Sequence, residues 1–225
     1  MTPFQIAKQN IEERMLKACQ QANRDPNAVR LLAASKRTDA QGIIDAVADG
    51  HLLFGENRAQ SLRDKHAIVH PVCPQAQWHF IGHLQKNKIK YVADKISMLH
   101  SLDSMELATA LHEKLTQEAL SPLSVLIQVK LGEEEAKTGV PPKEVFDFCA
   151  QLQNLPSLHV KGLMCIPPLY GTPEEWFAQI QDIAQEGSKQ GIPLPELSMG
   201  MSDDLESAIA HGSTIIRVGT ALFCP

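Results

Sequence analysis

The run LLAASKRT, residues 31–38, takes four apolar or small residues, Leu31 to Ala34, straight into Ser35, Lys36 and Arg37 with no turn residue between. A lysine at the end of an apolar strand loses hydration and gives up its proton more readily, which frees the amine as a nucleophile for an aldehyde. The plain alternative is a rim lysine that snorkels to water. A second chemistry sits in ELSMGMSDD, residues 196–204, and in IRVGT, residues 216–220. Free N–H groups where a helix starts, next to backbone that glycine opens to a ligand, bind phosphate. Ser198, with the Met199 and Gly200 backbone, offers one half of such a cradle, and Gly219 and Thr220 the other. Read plainly, Ser202 only caps its helix and Gly219 only turns the chain. Asp203 and Asp204 count against a highly charged anion unless they serve the helix dipole on a side facing away.

An amine that captures an aldehyde and a cradle that takes a phosphate match the two ends of pyridoxal 5′-phosphate (PLP). With the phosphate pocket across the barrel from Lys36, one molecule would span both. A Schiff-base aldolase acting on a phosphorylated sugar would use the same lysine without a cofactor, and its protein would be colourless. His79 and His83 have i, i+4 spacing, but Gly82 at a strand end lies between them, so a metal pair on one helix face is not expected.

The elements that must position these residues alternate along the chain. Strands are expected at 29–35, 52–54, 77–81, 97–101, 124–129, 159–164, 196–199 and 214–218. Helices are expected at 40–49, from 56, at 84–93, 104–118, from 143, at 173–190 and 202–211. Eight such units predict a single (β/α)8 TIM barrel over residues 1–225, whose chemistry collects where strands end. An open doubly wound sheet would want a glycine-rich turn after its first strand, and none is present. After the eighth strand only Gly219 and Thr220 to Pro225 remain, so no helix is expected there. An extra amphipathic N-terminal helix, residues 3–23, would cover the gap.

Composition narrows the partners. A 44% hydrophobic content supports a full core, and a net charge of -5 with pI near 6.0 argues against nucleic acid as a partner. The N-terminus is charged throughout, so neither a signal peptide nor a membrane span is expected. The five cysteines, Cys19, Cys73, Cys149, Cys165 and Cys224, form no C-x-x-C pair and read as reduced thiols of a cytoplasmic protein. Cys165, near a strand end, is a candidate reactive thiol, with a buried structural role as the plainer reading.

Seven segments resemble one family: AASK (33–36), FGEN (54–57), WHFIGHLQKNK (78–88), KTG (137–139), GLM (162–164), LSMGMSDDLESAI (197–209) and RVGTALF (217–223). Over nearly its whole length the chain resembles the YggS-type PLP-binding, or PLP homeostasis, proteins, which share the barrel of the alanine racemase N-terminal domain. The resemblance implies that Lys36 carries PLP as an internal aldimine. Ser198, Gly219 and Thr220 would take the phosphate with the Met199 and Gly200 backbone, Arg217 would face the pyridine nitrogen, and Asn57 and His79 would lie near the ring. It further implies a non-catalytic role in vitamin B6 homeostasis. Apo PLP-dependent enzymes are expected as recipients, and the chain is expected to be a monomer. Lys130 and Lys137 are candidate second acceptors, set against a reading as solvated lysines. Two departures stand out: FGEN continues as RAQS (58–61), and the chain ends in CP after ALF. A guanidinium facing the ring nitrogen keeps it unprotonated and weakens the ring as an electron sink. A PLP-dependent amino-acid racemase stays open as the alternative; Tyr170 is the tyrosine that could approach the site, set against the plainer reading as a loop residue with no role in proton transfer.

Overall fold

The computed structural model describes residues 1–132 and 138–223. Eight parallel strands close on themselves in sequence order: β1 (Arg30–Ala34), β2 (Leu53–Glu56), β3 (Gln77–Phe80), β4 (Met98–Leu102), β5 (Leu123–Gln128), β6 (Leu158–Met164), β7 (Glu196–Ser198) and β8 (Ile215–Val218). Closure comes from β8 pairing with β1, Arg30 opposite Ile215 and Ala33 opposite Val218. The expected TIM barrel is the fold.

Strand alternation divides the core in two. Leu31 and Ala33 face the helices and join the large cluster there, whereas Leu32 and Ala34 join a smaller one with Met98, Leu126, Met164 and Ile215. Successive strand residues point to opposite sides, so this second set fills the barrel interior.

The helices are α1 (Pro3–Gln21), α2 (Ala40–Ala48), α3 (Ala59–Val69), α4 (Met105–Gln117), α5 (Val145–Leu152), α6 (Pro173–Lys189), α7 (Leu205–Ala210) and α8 (Thr220–Phe223). Thr2 and Gln5 form a capping box on α1, and Thr172 and Glu175 another on α6. Three expectations change. Residues 84–93 hold only a 3-10 stretch, Lys86–Tyr91; Leu84, Ile89, Val92 and Ala93 are buried, but from this stretch and the segments flanking it, not from one α-helix. The helix expected from 202 starts only at Leu205, because Ser202 belongs to a turn and does not cap it. A one-turn helix, α8, does follow β8: Leu222 is buried, and Phe223 packs on Phe4 of α1 with ring centroids 5.3 Å apart. The N-terminal helix therefore shares the closing gap with α8 instead of filling it alone. None of the helices among the described residues is long and apolar enough to cross a membrane.

Gly162 shows why GLM needs its glycine. It pairs with Glu196 across β6 and β7, and a Cβ there would lie 1.8 Å from the Glu196 carbonyl oxygen. The β5–β6 register also shifts between Val125 and Leu126. Both strands lead to the end of the barrel that carries Met164 and Ser198. Gly162→Ala should therefore force these strands apart, and urea unfolding should show a loss of about 2–3 kcal/mol.

Candidate functional site

A cavity of about 540 Å³ opens at the C-terminal end of the barrel, within the usual range for small-ligand sites. Its wall brings together Lys36, Asn57, Arg217, Gly219 and Thr220 from the sequence-derived set. Met201, Ser202 and Asp203 line it as well. Ser198, Met199, Gly200 and His79 do not form its wall and are buried or turned behind it.

Lys36 continues the inward series Leu32, Ala34, but it stands two residues past β1 and is exposed. Dehydration by an apolar strand is therefore not what distinguishes this amine; its place on the cavity wall is. The geometry of closure also corrects the expectation of a cradle across the barrel. Because β8 pairs with β1, the Gly219 turn is a neighbour of the β1 end: a Cβ on Gly219 would lie 3.1 Å from the Ala34 carbonyl oxygen.

The lip that carries Lys36 is fixed from below. The Glu56 carboxylate, fully buried, accepts from Ser35 Oγ at 2.9 Å, from Asn57 N at 3.2 Å and from Lys65 Nζ. Lys65 also donates to the Ser35 carbonyl at 2.7 Å. One ion pair thus holds the residue before Lys36 and the backbone of Asn57. Glu56 stood out in FGEN, but nothing in sequence spacing marks Lys65.

Two turns supply backbone donors. After β7, Gly200 takes φ +92°, and a Cβ there would meet Ala208 Cβ at 2.5 Å. Beyond it, Met201 N donates to Asp204 Oδ1 at 2.6 Å, and the Ser202 carbonyl accepts from Arg14 Nη2 of α1 at 2.8 Å. Arg14 is itself clamped on Glu206 of α7 by two bonds, at 2.7 and 2.8 Å. Among the described residues, no acceptor engages the N–H groups of Ser202, Asp203, Gly219 or Thr220. Unpaired N–H groups on two adjoining turns suit an anion. Ser202, read from sequence as a helix cap, and Arg14, which sequence did not single out, therefore belong to this region.

Arg217 supplies its charge. It is 7% exposed, and among the described residues no carboxylate lies within ion-pair distance. Nη1 donates to the Ser198 carbonyl at 2.6 Å and to Ser198 Oγ at 2.7 Å, and Nη2 to the Cys165 carbonyl at 2.9 Å. Burial pulls its pKa down, with Cys165 and Asp204 opposing. Three of five N–H groups are engaged, which leaves two donors and a buried positive charge beside the cavity. Behind Arg217, Ser198 Oγ contacts His100 Nδ1 at 2.9 Å, and His100 Nε2 contacts His79 Nδ1 at 2.9 Å. Burial drives His79 down to about 3 and His100 well below the usual histidine range, so both are neutral. The second histidine, on β4, escaped sequence reading because β4 otherwise reads as plain core.

The remaining candidates lie elsewhere. Cys165 is fully buried, and burial pushes its thiol up to about 12, an inert environment. His83 pairs with Asp103 at 3.1 Å. Lys130 lines a second cavity of about 330 Å³ that shares Asn57, Ile81 and Ile166 with the first. The Tyr170 ring stands edge-on to Trp176, its hydroxyl lies over Gly132, and it is not on the cavity wall. Lys137 and Cys224 lie outside the described residues.

Comparison with known proteins points the same way. A family model described as alanine racemase, N-terminal domain, matches residues 6–225. The pyridoxal phosphate homeostasis protein of Pasteurella multocida is 40% identical over 95% of this chain and 93% of its own. PipY of Synechococcus elongatus, solved with PLP bound, is 36% identical, with a TM-score of 0.82 over 95% of this chain and 99% of that one. An unknown protein from Bifidobacterium adolescentis superposes with a TM-score of 0.91 at 31% identity, covering 98% and 94%.

The buried neutral histidines carry a pH signature. His51, lowered to about 4 mainly by burial, joins His79 and His100. A group whose folded pKa is depressed takes up its proton only on unfolding, so stability is full above about 6.5 and falls as pH drops below it. Chemical denaturation should show a loss approaching about 1.4 kcal/mol per pH unit per histidine between pH 6 and 4.5. His79→Gln should flatten that slope.

Proposed function

Because this chain belongs to the alanine racemase N-terminal-domain family, and within it to the pyridoxal phosphate homeostasis proteins, we propose that it binds PLP at the mouth of its barrel and serves vitamin B6 homeostasis. The observation that carries this reading is one cavity walled by a reachable amine, a buried guanidinium with donors to spare, and two turns of unpaired N–H groups. The bound group supplies an aldehyde that condenses reversibly with primary amines, and a phosphate anion.

Each wall residue then has a task. Lys36 presents the amine to the aldehyde carbon. Ser202, Gly219 and Thr220 direct N–H groups at the phosphate, and the Thr220 hydroxyl adds a donor. Arg217 donates toward the ring nitrogen, and Asn57 borders the ring. Ser198, Met199, Gly200 and His79 support from behind: Ser198 through its bonds to Arg217 and His100, Gly200 through its carbonyl, which accepts from Arg217 N at 3.0 Å. Arg217 sets a permanent positive charge against Asp203 on the same wall.

A permanently protonated donor opposite the ring nitrogen holds that nitrogen as an acceptor. Chemistry that needs an electron-poor ring is disfavoured, which fits retention and release better than turnover. Exposure of Lys36 lets an incoming amine approach the same carbon. Residues 1–225 act as one domain, a cytoplasmic monomer in this reading, with apo PLP-dependent enzymes as recipients.

Protein loaded with PLP should show a visible absorption band. Borohydride should fix that band as a mass increment on the Lys36 peptide, and Lys36→Ala should abolish both. Pyridoxal, which lacks the phosphate, should bind at least about tenfold more weakly. An increment on a different lysine would overturn the assignment. Exchange of the α-hydrogen of alanine in deuterated buffer at enzymatic rates, lost in Lys36→Ala, would establish the racemase instead.

A further inference from the structure

Arg217, Ser198, His100 and His79 form one continuous buried chain of hydrogen bonds across β8, β7, β4 and β3. Its direction follows from donor chemistry. A guanidinium only donates, so Ser198 Oγ accepts from Arg217 Nη1. Ser198 is fully buried, and among the described residues the only other group near its hydroxyl is His100 Nδ1. The hydroxyl proton must therefore go to that nitrogen, or a buried donor is left unpaired at a cost of about 1–3 kcal/mol. His100 Nδ1 is then an acceptor and Nε2 carries the hydrogen, which it donates to His79 Nδ1 at 2.9 Å. The proton of His79 is left on Nε2.

We infer that His100 is a positioning residue: by accepting the Ser198 hydroxyl proton it turns the Ser198 oxygen lone pairs onto Arg217 and fixes which guanidinium N–H groups remain for the cofactor. It touches no wall of the cavity and acts only through Ser198. With the acceptor gone, the Ser198 hydroxyl turns and its proton competes with Nη1 for the same space. Arg217 then loses one of the three bonds that aim it. Burial keeps both histidines neutral, so a single tautomeric pattern persists across physiological pH.

The inference rests on the PLP reading for its consequence, but its tautomers can be tested without cofactor. In protein labelled with 15N-histidine and free of PLP, the His100 and His79 signals should both report hydrogen on Nε2 and a bare Nδ1. Hydrogen on His100 Nδ1 would overturn the inference, whatever the protein binds. The second test uses PLP. His100→Leu should weaken PLP binding about tenfold or more and shift the visible band, while His100→Asn, whose side-chain oxygen can replace Nδ1 as acceptor, should return both to within about threefold of the parent. Equal binding by the Leu variant, or equal impairment by Leu and Asn at matched folded fraction, would also overturn it. Should the parent protein take up no PLP, the functional reading fails while the tautomer result stands by itself.

Discussion

The site depends on a positive charge buried without a carboxylate beside it. Removing a guanidinium from water costs several kcal/mol even after relaxation. Arg217 meets that cost with the Ser198 and Cys165 carbonyls and the Ser198 hydroxyl, bonds to a charged group worth about 1.5–3 kcal/mol each. These partners are dipoles, so they solvate the cation without neutralising it. Asp204, the acid whose charge favours protonated Arg217, is itself bonded to Met201 N and stands outside ion-pair distance. The barrel end is left electropositive beside a cavity whose adjoining turns offer unpaired N–H groups. An anionic ligand completes this balance, and the same surroundings discriminate against a cation.

Barrel closure turns this local charge into a two-ended site. Lys36 and Arg217 lie far apart in the chain, yet β8 pairs with β1, so both reach one cavity with the Gly219 turn between neighbouring strands. The N-terminal helix also contributes at a distance. Arg14 grips the Ser202 carbonyl and Glu206 together, so α1 both covers the barrel and holds the orientation of the turn after β7. The Glu56–Lys65 pair performs the matching task on the other lip, below Ser35 and Asn57. Cavity wall and supporting layer are built by different residues, which is how a mouth open enough for ligand exchange keeps its geometry.

Much of this was legible in the chain because alternation and glycine report on backbone directly. Leu31 to Ala34 read as strand, the IRVGT turn read as a donor site, and the eight-fold alternation led to the barrel. What escaped is what depends on neighbours remote in sequence. Residues 84–93 have helical spacing, and Leu84, Ile89, Val92 and Ala93 are buried, yet the backbone takes only a 3-10 stretch there. The few residues after β8 read as too short for a helix, yet Phe223 finds Phe4 and a single turn forms. His100 and Lys65 look like an ordinary core residue and an ordinary helix-surface residue; only the closed barrel sets one against Ser198 and the other against Glu56. Lys36 itself was identified from the abruptness of the strand end, but the reason first given for its reactivity, dehydration, does not survive its exposure.

That exposure bears on what the site is suited to do. A catalyst that stabilises a carbanion gains from an electron-poor ring and from groups that shut out water. In the proposed PLP site the residue assigned to the ring nitrogen, Arg217, can only donate; it is bonded to a buried chain ending in His79, and Lys36 stands exposed at the rim. Neutral members cannot deliver a proton to the ring without breaking the pattern that holds Arg217. Under the proposed reading the arrangement would combine recognition of phosphate and ring with access to the one reactive carbon. Those are the requirements of a holder that must also let go: affinity resides in contacts that an arriving amine leaves untouched, and exchange occurs at the single bond it can reach.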